Sequence, residues 1–157
     1  MIIKRADCKD TDIATLEALK NSPQADAQTR KKIETEIRFI KAGISGEKEA
    51  AYEIDFHIGE SKNYAVIHDL RIECGDRVAQ IDHLVIGRFL DFWVCETKNF
   101  SGGININDQG ECTTFYGKKP RGISSPIEQN RKHTLVLEAL FKTRSVKLPT
   151  RLGLTLK

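Results

Sequence analysis

Val78-Ala79-Gln80-Ile81-Asp82-His83-Leu84-Val85-Ile86-Gly87 and, after Arg88-Phe89-Leu90, Asp91-Phe92-Trp93-Val94-Cys95-Glu96-Thr97-Lys98 decide how this chain reads. Both stretches are rich in β-branched and aromatic residues, and a short turn separates them, so they read as two strands of a hairpin. Alternation puts Phe92, Val94, Glu96 and Lys98 on one face, and Gln80, Asp82, Leu84 and Ile86 on one face. A hairpin centred near Phe89 sets Ile86 opposite Phe92, Leu84 opposite Val94 and Asp82 opposite Glu96. Two carboxylates facing each other repel, and burying them uncompensated costs more still. A divalent cation is the strongest candidate to neutralise them, with Lys98 as a nearby positive charge. Two carboxylates plus waters suit Mg²⁺. The plainer alternative is an ordinary Glu96–Lys98 ion pair on a solvated face, with Asp82 opening a turn. The apolar company of all three residues weighs against it.

Working outward, Tyr64 to Cys74 reads as a strand and Gly75-Asp76 as a turn, which makes a three-strand meander ending at Lys98. Asn99 to Gly103 is a loop, and residues 104 to 117 read as a small excursion of strands and turns. Ser125, Pro126 and Glu128 form a helix start, with Ser125 as cap and Glu128 closing a capping box. That helix runs to about Phe141 and carries Gln129, His133, Val136 and Leu140 on one face. Upstream, Ser22-Pro23 starts a helix with Ile33, Ile37, Ile40 and Ile44 at helical spacing. Gly43 and Gly46 loosen or kink it, and a second helical stretch follows from Glu47 to about Ile58. Glu47 shares the stripe of Ala50, Ala51, Ile54 and Ile58. It either needs a partner there or favours the positive end of its helix. Residues 1 to 22 are polar, with a short helical pattern around Ile13, Leu16 and Leu19. Leu148 to Leu156 opens a further strand, added by a crossover. The fold class is α/β: a central mixed β-sheet flanked by helices, in the order helix, three-strand meander, helix, strand.

The 157 residues make one domain, with 39% hydrophobic and 30% charged residues. Cys8, Cys74, Cys95 and Cys112 show no paired spacing, which excludes a zinc motif and a disulfide framework and suits a reducing cytoplasm. Met1 to Arg5 does not open a signal peptide, and no apolar run has membrane-spanning length. The net charge of +3 is small, but no acidic residue follows Glu138, whereas Lys142, Arg144, Lys147, Arg151 and Lys157 do. Lys118, Lys119 and Arg121 sit beside Phe115 and Tyr116, a combination suited to phosphates and stacked bases. A solvated surface and a basic tail are the alternative. His57, His68, His83 and His133 lack metal spacing and read as structural or surface residues. His83 points away from the Asp82 face.

Gly46-Glu47 on a helix, Gln80-Ile81-Asp82-His83, Glu96-Thr97-Lys98-Asn99-Phe100-Ser101-Gly102, and Pro126-Ile127-Glu128-Gln129-Asn130 with a basic continuation together resemble the NERD domain, the nuclease-related domain. Its superfamily is the PD-(D/E)xK, restriction-endonuclease-like group. The resemblance covers about residues 40 to 157. It divides the chain into an N-terminal helical extension, 1–40, and a NERD domain, 41–157, that ends abruptly and looks cut short. It implies a restriction-endonuclease-like core and roles for residues. Asp82 and Glu96 would bind Mg²⁺ or Mn²⁺, with the Thr97 carbonyl as a further ligand. Glu47 would complete the metal shell or hold its waters. Lys98 would orient or deprotonate the attacking water, and Gln129 would stand near the lysine or the scissile phosphate. Arg131 and Lys132, with Lys118, Lys119 and Arg121, would contact nucleic acid. Ile81 stands where the superfamily often has proline, in keeping with the NERD pattern.

The chemistry of phosphodiester hydrolysis agrees with this set. A divalent metal lowers the pKa of bound water and clamps phosphate oxygens, and a neighbouring lysine supplies a tunable cation. The leading expectation is a metal-dependent nuclease acting on nucleic acid, DNA first, in the cytoplasm. Two alternatives stand beside it. One is a catalytically silent nucleic-acid-binding module. The other is a regulatory domain joined to further domains beyond Lys157.

Overall fold

A computed structural model describes residues 1–100, 102–116 and 119–146. The elements in chain order are β1 (Ile2–Lys4), α1 (Asp10–Lys20), α2 (Ala27–Ile58), β2 (Tyr64–Cys74), β3 (Arg77–Gly87), β4 (Phe92–Cys95), β5 (Ile104–Ile106), β6 (Cys112–Tyr116), β7 (Lys119–Ile123) and α3 (Pro126–Thr143). The main sheet has the order β1-β2-β3-β4, and β5-β6-β7 form a separate small sheet. The architecture is mixed α/β, as expected. The parallel pairing that makes the main sheet mixed comes from β1 beside β2, at the opposite edge from β4. The strand expected at 148–156 lies outside the described residues.

The meander forms where alternating apolar side chains and tight turns dictate it. Gly75 takes φ +62° in the β2–β3 turn, a conformation that costs glycine little. β3 and β4 pair Ile86 with Phe92 and Leu84 with Val94, the anticipated register. β4 stops at Cys95, earlier than the expected end at Lys98. The reason is local: the Thr97 N–H donates to the Asp82 carboxylate at 2.7 Å, and Asn99 turns away to donate to the Ala42 carbonyl on α2 at 2.8 Å.

Two helix expectations need correction. The long helix starts at Ala27, because Asp26 caps it by accepting from the Thr29 N–H at 2.7 Å. Ser22 instead accepts from the Gln24 N–H in the preceding turn. α2 also runs unbroken through Gly43 and Gly46. Gly46 is buried against Asn99, so the glycine serves a close contact, not a kink. The division expected near residue 40 falls inside α2. The residues before it supply β1 as well as helix, and the Met1 amine donates to the carbonyls of Ser61 and Tyr64.

α3 packs on the sheet through Val136 and Leu137 against Ile72, Ala79, Ile81, Leu84 and Val94. Ile81 and Leu84 share this cluster although strict alternation separates them. β2 shows the same anomaly, with Ile67 and Leu70 both on the cluster. The phase of both strands changes between His68↔His83 and Leu70↔Ile81, where the pairing skips Asp69 and Asp82. Asp69 takes φ +53° there, while 7% exposed. Gln80 and Asp82 therefore do not continue the face of Leu84 and Ile86. On the other face His68 reaches Asp55 of α2. No helix among the described residues is long and apolar enough to cross a membrane.

Candidate active site

The phase change places a row of acids across the sheet: Asp69 on β2, Asp82 on β3 and Glu96 just after β4. A buried non-glycine residue at positive φ in mid-strand stores strain, a condition that concentrates at functional sites. Asp69 is held there by donors on both oxygens, the Gln80 amide and the Asp7 N–H.

Glu96 is enclosed as well, its side chain 6% exposed. Its Oε1 accepts from Lys98 Nζ and from Gln129 Nε2, each at 2.6 Å. Burial pushes the Glu96 carboxyl above the usual carboxylate range, and Asp82 adds to the push, while Lys98 and His133 oppose it. Gln129 stands in the first turn of α3, where the Ser125–Pro126 cap fixes the helix start. The next residue, Asn130, donates to the Val94 carbonyl at 2.8 Å and fastens α3 to β4. One turn on, His133 Nδ1 lies 3.4 Å from Glu96 Oε2 and has no hydrogen-bond partner.

The expected residues Asp82, Glu96, Thr97, Lys98 and Gln129 thus converge at the end of β4. Glu47 is arranged differently. Its carboxylate pairs with Lys9 Nζ at 2.7 Å. Burial works against the Lys9 charge, but the hydrogen bond and ion pair to Glu47, with the fields of Asp69 and Asp82, outweigh it and raise the Lys9 pKa. Lys9 therefore places one cation toward three acids. Among the described residues, no three Asp, Glu, His or Cys side chains gather into a metal-binding group.

Two cavities flank this centre. A groove of about 270 Å³ is lined by Gly46, Glu49, Ala50, Glu53, Thr97, Lys98 and Asn99. A larger cavity of about 500 Å³ lies between residues 5–10 and α2, with Lys9, Glu47, Tyr52, Asp55 and His68 in its wall. Of the basic residues expected to meet nucleic acid, Lys119 and Arg121 are exposed on β7 and Lys132 is exposed on α3. Arg131 is exposed with its guanidinium 3.6 Å from Glu128. Lys118 lies outside the described residues.

Sequence reasoning passed over Lys9 and Asp69 and read His133 as a structural or surface residue. Asp69 carried a signal, an acid in the middle of the apolar run Tyr64 to Cys74. His133 shared a helical face with Gln129. Lys9 carried none, because its role depends on where the N-terminal segment folds back. The two remaining buried histidines are also not bland. His68 and His83 contact each other, and burial with the neighbouring ring pushes His83 below its usual range against the opposing fields of Asp82, Asp55 and Asp69.

No curated protein and no solved structure matches the chain. The family model described as the nuclease-related domain, NERD, matches residues 42–152. That span holds all four sequence blocks and every residue that converges at the end of β4, and so the chain belongs to the NERD, nuclease-related, family.

Proposed function

We propose that this domain hydrolyses phosphodiester bonds of nucleic acid, DNA first, with Mg²⁺ or Mn²⁺ bound at Asp82 and Glu96. The observation that carries the reading is the Glu96 carboxylate, enclosed beside a second acid yet only partly compensated by Lys98. The residues fit a hard divalent cation. The donors are oxygens, and Mg²⁺ usually takes one or two carboxylates with waters, so two acids suffice. Asp82 offers the oxygen that the Thr97 N–H leaves free, and the Thr97 carbonyl would be a third oxygen ligand.

When bound, the ion would supply a more acidic water and charge neutralisation at the phosphate. The chain's own residues do the rest. Lys98, held at 2.6 Å by Glu96, is a cation beside the developing charge and positions the attacking water. Gln129 locks the Glu96 rotamer through its amide. Lys119, Arg121 and Lys132 offer exposed charge for the phosphate backbone.

The test is cleavage of supercoiled, linear and single-stranded DNA with each metal, comparing the wild type with Asp82→Asn and Lys98→Ala. Metal-dependent cutting by the wild type and its loss by at least 100-fold in both variants supports the reading. A specific observation favours a second reading, a silent binding module: Lys9 already presents a cation to Glu47, Asp69 and Asp82. That reading expects no cutting and DNA binding that survives Asp82→Asn.

A further inference from the structure

His68 is 1% exposed and His83 is 2% exposed, and their Nδ1 atoms lie 2.8 Å apart. The chain of contacts continues both ways. His68 Nε2 is 3.0 Å from Asp55 Oδ1, and His83 Nε2 is 3.1 Å from Thr97 Oγ1. Four polar groups from α2, β2, β3 and the segment after β4 are thus strung through the sheet.

The proton order along this string follows from chemistry. A neutral imidazole has one N–H and one acceptor nitrogen. An ionised Asp55 only accepts, so His68 carries its proton on Nε2. His68 Nδ1 is then an acceptor, which obliges His83 to carry its proton on Nδ1. His83 Nε2 is then an acceptor in turn, and the Thr97 hydroxyl must donate to it. With both rings neutral, one arrangement satisfies every partner. Thr97 is gripped twice, because its N–H also donates to Asp82 Oδ2 at 2.7 Å.

Apolar side chains at 68 and 83 would join sheet and helix without the demand that each buried polar atom find its partner. A string that ends on the residue binding Asp82 meets that demand for a reason. We propose that His83 and His68 are positioning residues that act through Thr97 to hold the Asp82 carboxylate in one orientation, its free oxygen presented to the cation. The inference rests on the reading of Asp82 as a cation ligand. It assigns the buried pair a role in metal affinity, while contact with DNA is left to the exposed basic residues.

Thr97→Val removes the hydroxyl at nearly constant shape, and Thr97→Ser restores it. Both leave the buried rings in place, and because Thr97→Val leaves His83 Nε2 without its donor, melting curves confirm the fold of each variant before metal is added. Mn²⁺ affinity, read by paramagnetic resonance of the free ion, should fall about 10-fold in Thr97→Val, the size of effect typical of groups that orient a ligand. Thr97→Ser should stay close to wild type, and DNA binding without metal should be the same in all three. Nitrogen-15 spectra of the wild-type imidazoles should show protons on His68 Nε2 and His83 Nδ1 only. Equal Mn²⁺ affinity in Thr97→Val and wild type overturns the positioning role and leaves the nuclease reading standing. A different proton pattern, including a doubly protonated His68, overturns the string itself. A wild type that takes up no Mn²⁺ overturns both the inference and the function it rests on.

Discussion

Gly46 of α2 and Asn99 touch so closely that a methyl group on Gly46 would stand 2.8 Å from the Asn99 Cβ. The contact sets the distance between the long helix and the segment that carries Glu96, Thr97 and Lys98. Gly46→Ala therefore separates two effects. Alanine improves helix propensity by about 1 kcal/mol, which offsets part of the clash. The 96–99 segment must still shift by a few tenths of an ångström or more. Thermal stability should stay within about 1 kcal/mol of wild type, while metal-dependent cleavage drops about 10- to 100-fold. Calorimetry beside a cleavage assay checks it, and an unchanged cleavage rate would contradict the spacing role.

That contact also shows what could be read from the sequence. The meander, the β3–β4 register and the cap of α3 were legible, because each depends on neighbours in sequence: alternating apolar residues, a tight turn, or Ser125 three residues before Glu128. So was the convergence of Asp82, Glu96, Lys98 and Gln129, which follows from strand pairing plus one helix start. The purpose of Gly46 was not legible, since a helical glycine looks like a weak point until its distant neighbour is known. Lys9 and β1 were hidden for the same reason, since their partners, Glu47 and β2, lie tens of residues away. The phase change at Asp69 was hidden for another: it is a backbone conformation, and aspartate gives only a faint hint of it.

Lys9 should behave as a built-in counter-ion. Its folded-state pKa is raised, so the stability it contributes is fully present below its unfolded value, about 10.4, and is lost as pH rises through the folded value. Lys9→Met should flatten the fall of the melting temperature as pH rises above about 10.4, where the wild type loses the pair. At neutral pH the variant should lose no more than about 1 kcal/mol, because the pair is partly solvated. Its Mg²⁺ affinity should rise several-fold, since one positive charge has left the acids; weaker Mg²⁺ binding would show that Lys9 supports the site.

Glu96 has the opposite sign. A carboxyl whose folded pKa is raised costs stability as pH climbs from its unfolded value through its folded one. Glu96→Gln keeps the acceptor for Lys98 and removes the charge. Without metal at neutral pH it should melt higher than wild type, by about 3 °C for a gain near 1 kcal/mol. Adding Mg²⁺ should raise the wild type and leave the variant unmoved. A variant that melts lower without metal would mean that the ion pair with Lys98 outweighs burial.

Asp69→Gly and Asp69→Ala both remove the carboxylate that binds Gln80 and Asp7, so their difference isolates the backbone. Glycine accepts φ +53° and alanine does not. Urea denaturation should find the glycine variant more stable by about 1 kcal/mol. Equal stabilities would show that the strand relaxes without strain.

The phase change in β3 gives one strand two grammars. Up to Ile81 the odd positions, Ala79 and Ile81, belong to the α3 core; from Leu84 the even positions do, while His83 and Val85 are buried as well. A saturation scan of β3 should show tolerance alternating from Val78 to Ile81 and then vanishing over His83, Leu84 and Val85. Any method that looks for one unbroken rhythm in this strand would discount its central stretch, and that stretch begins beside the aspartate on which the chemistry is proposed to depend.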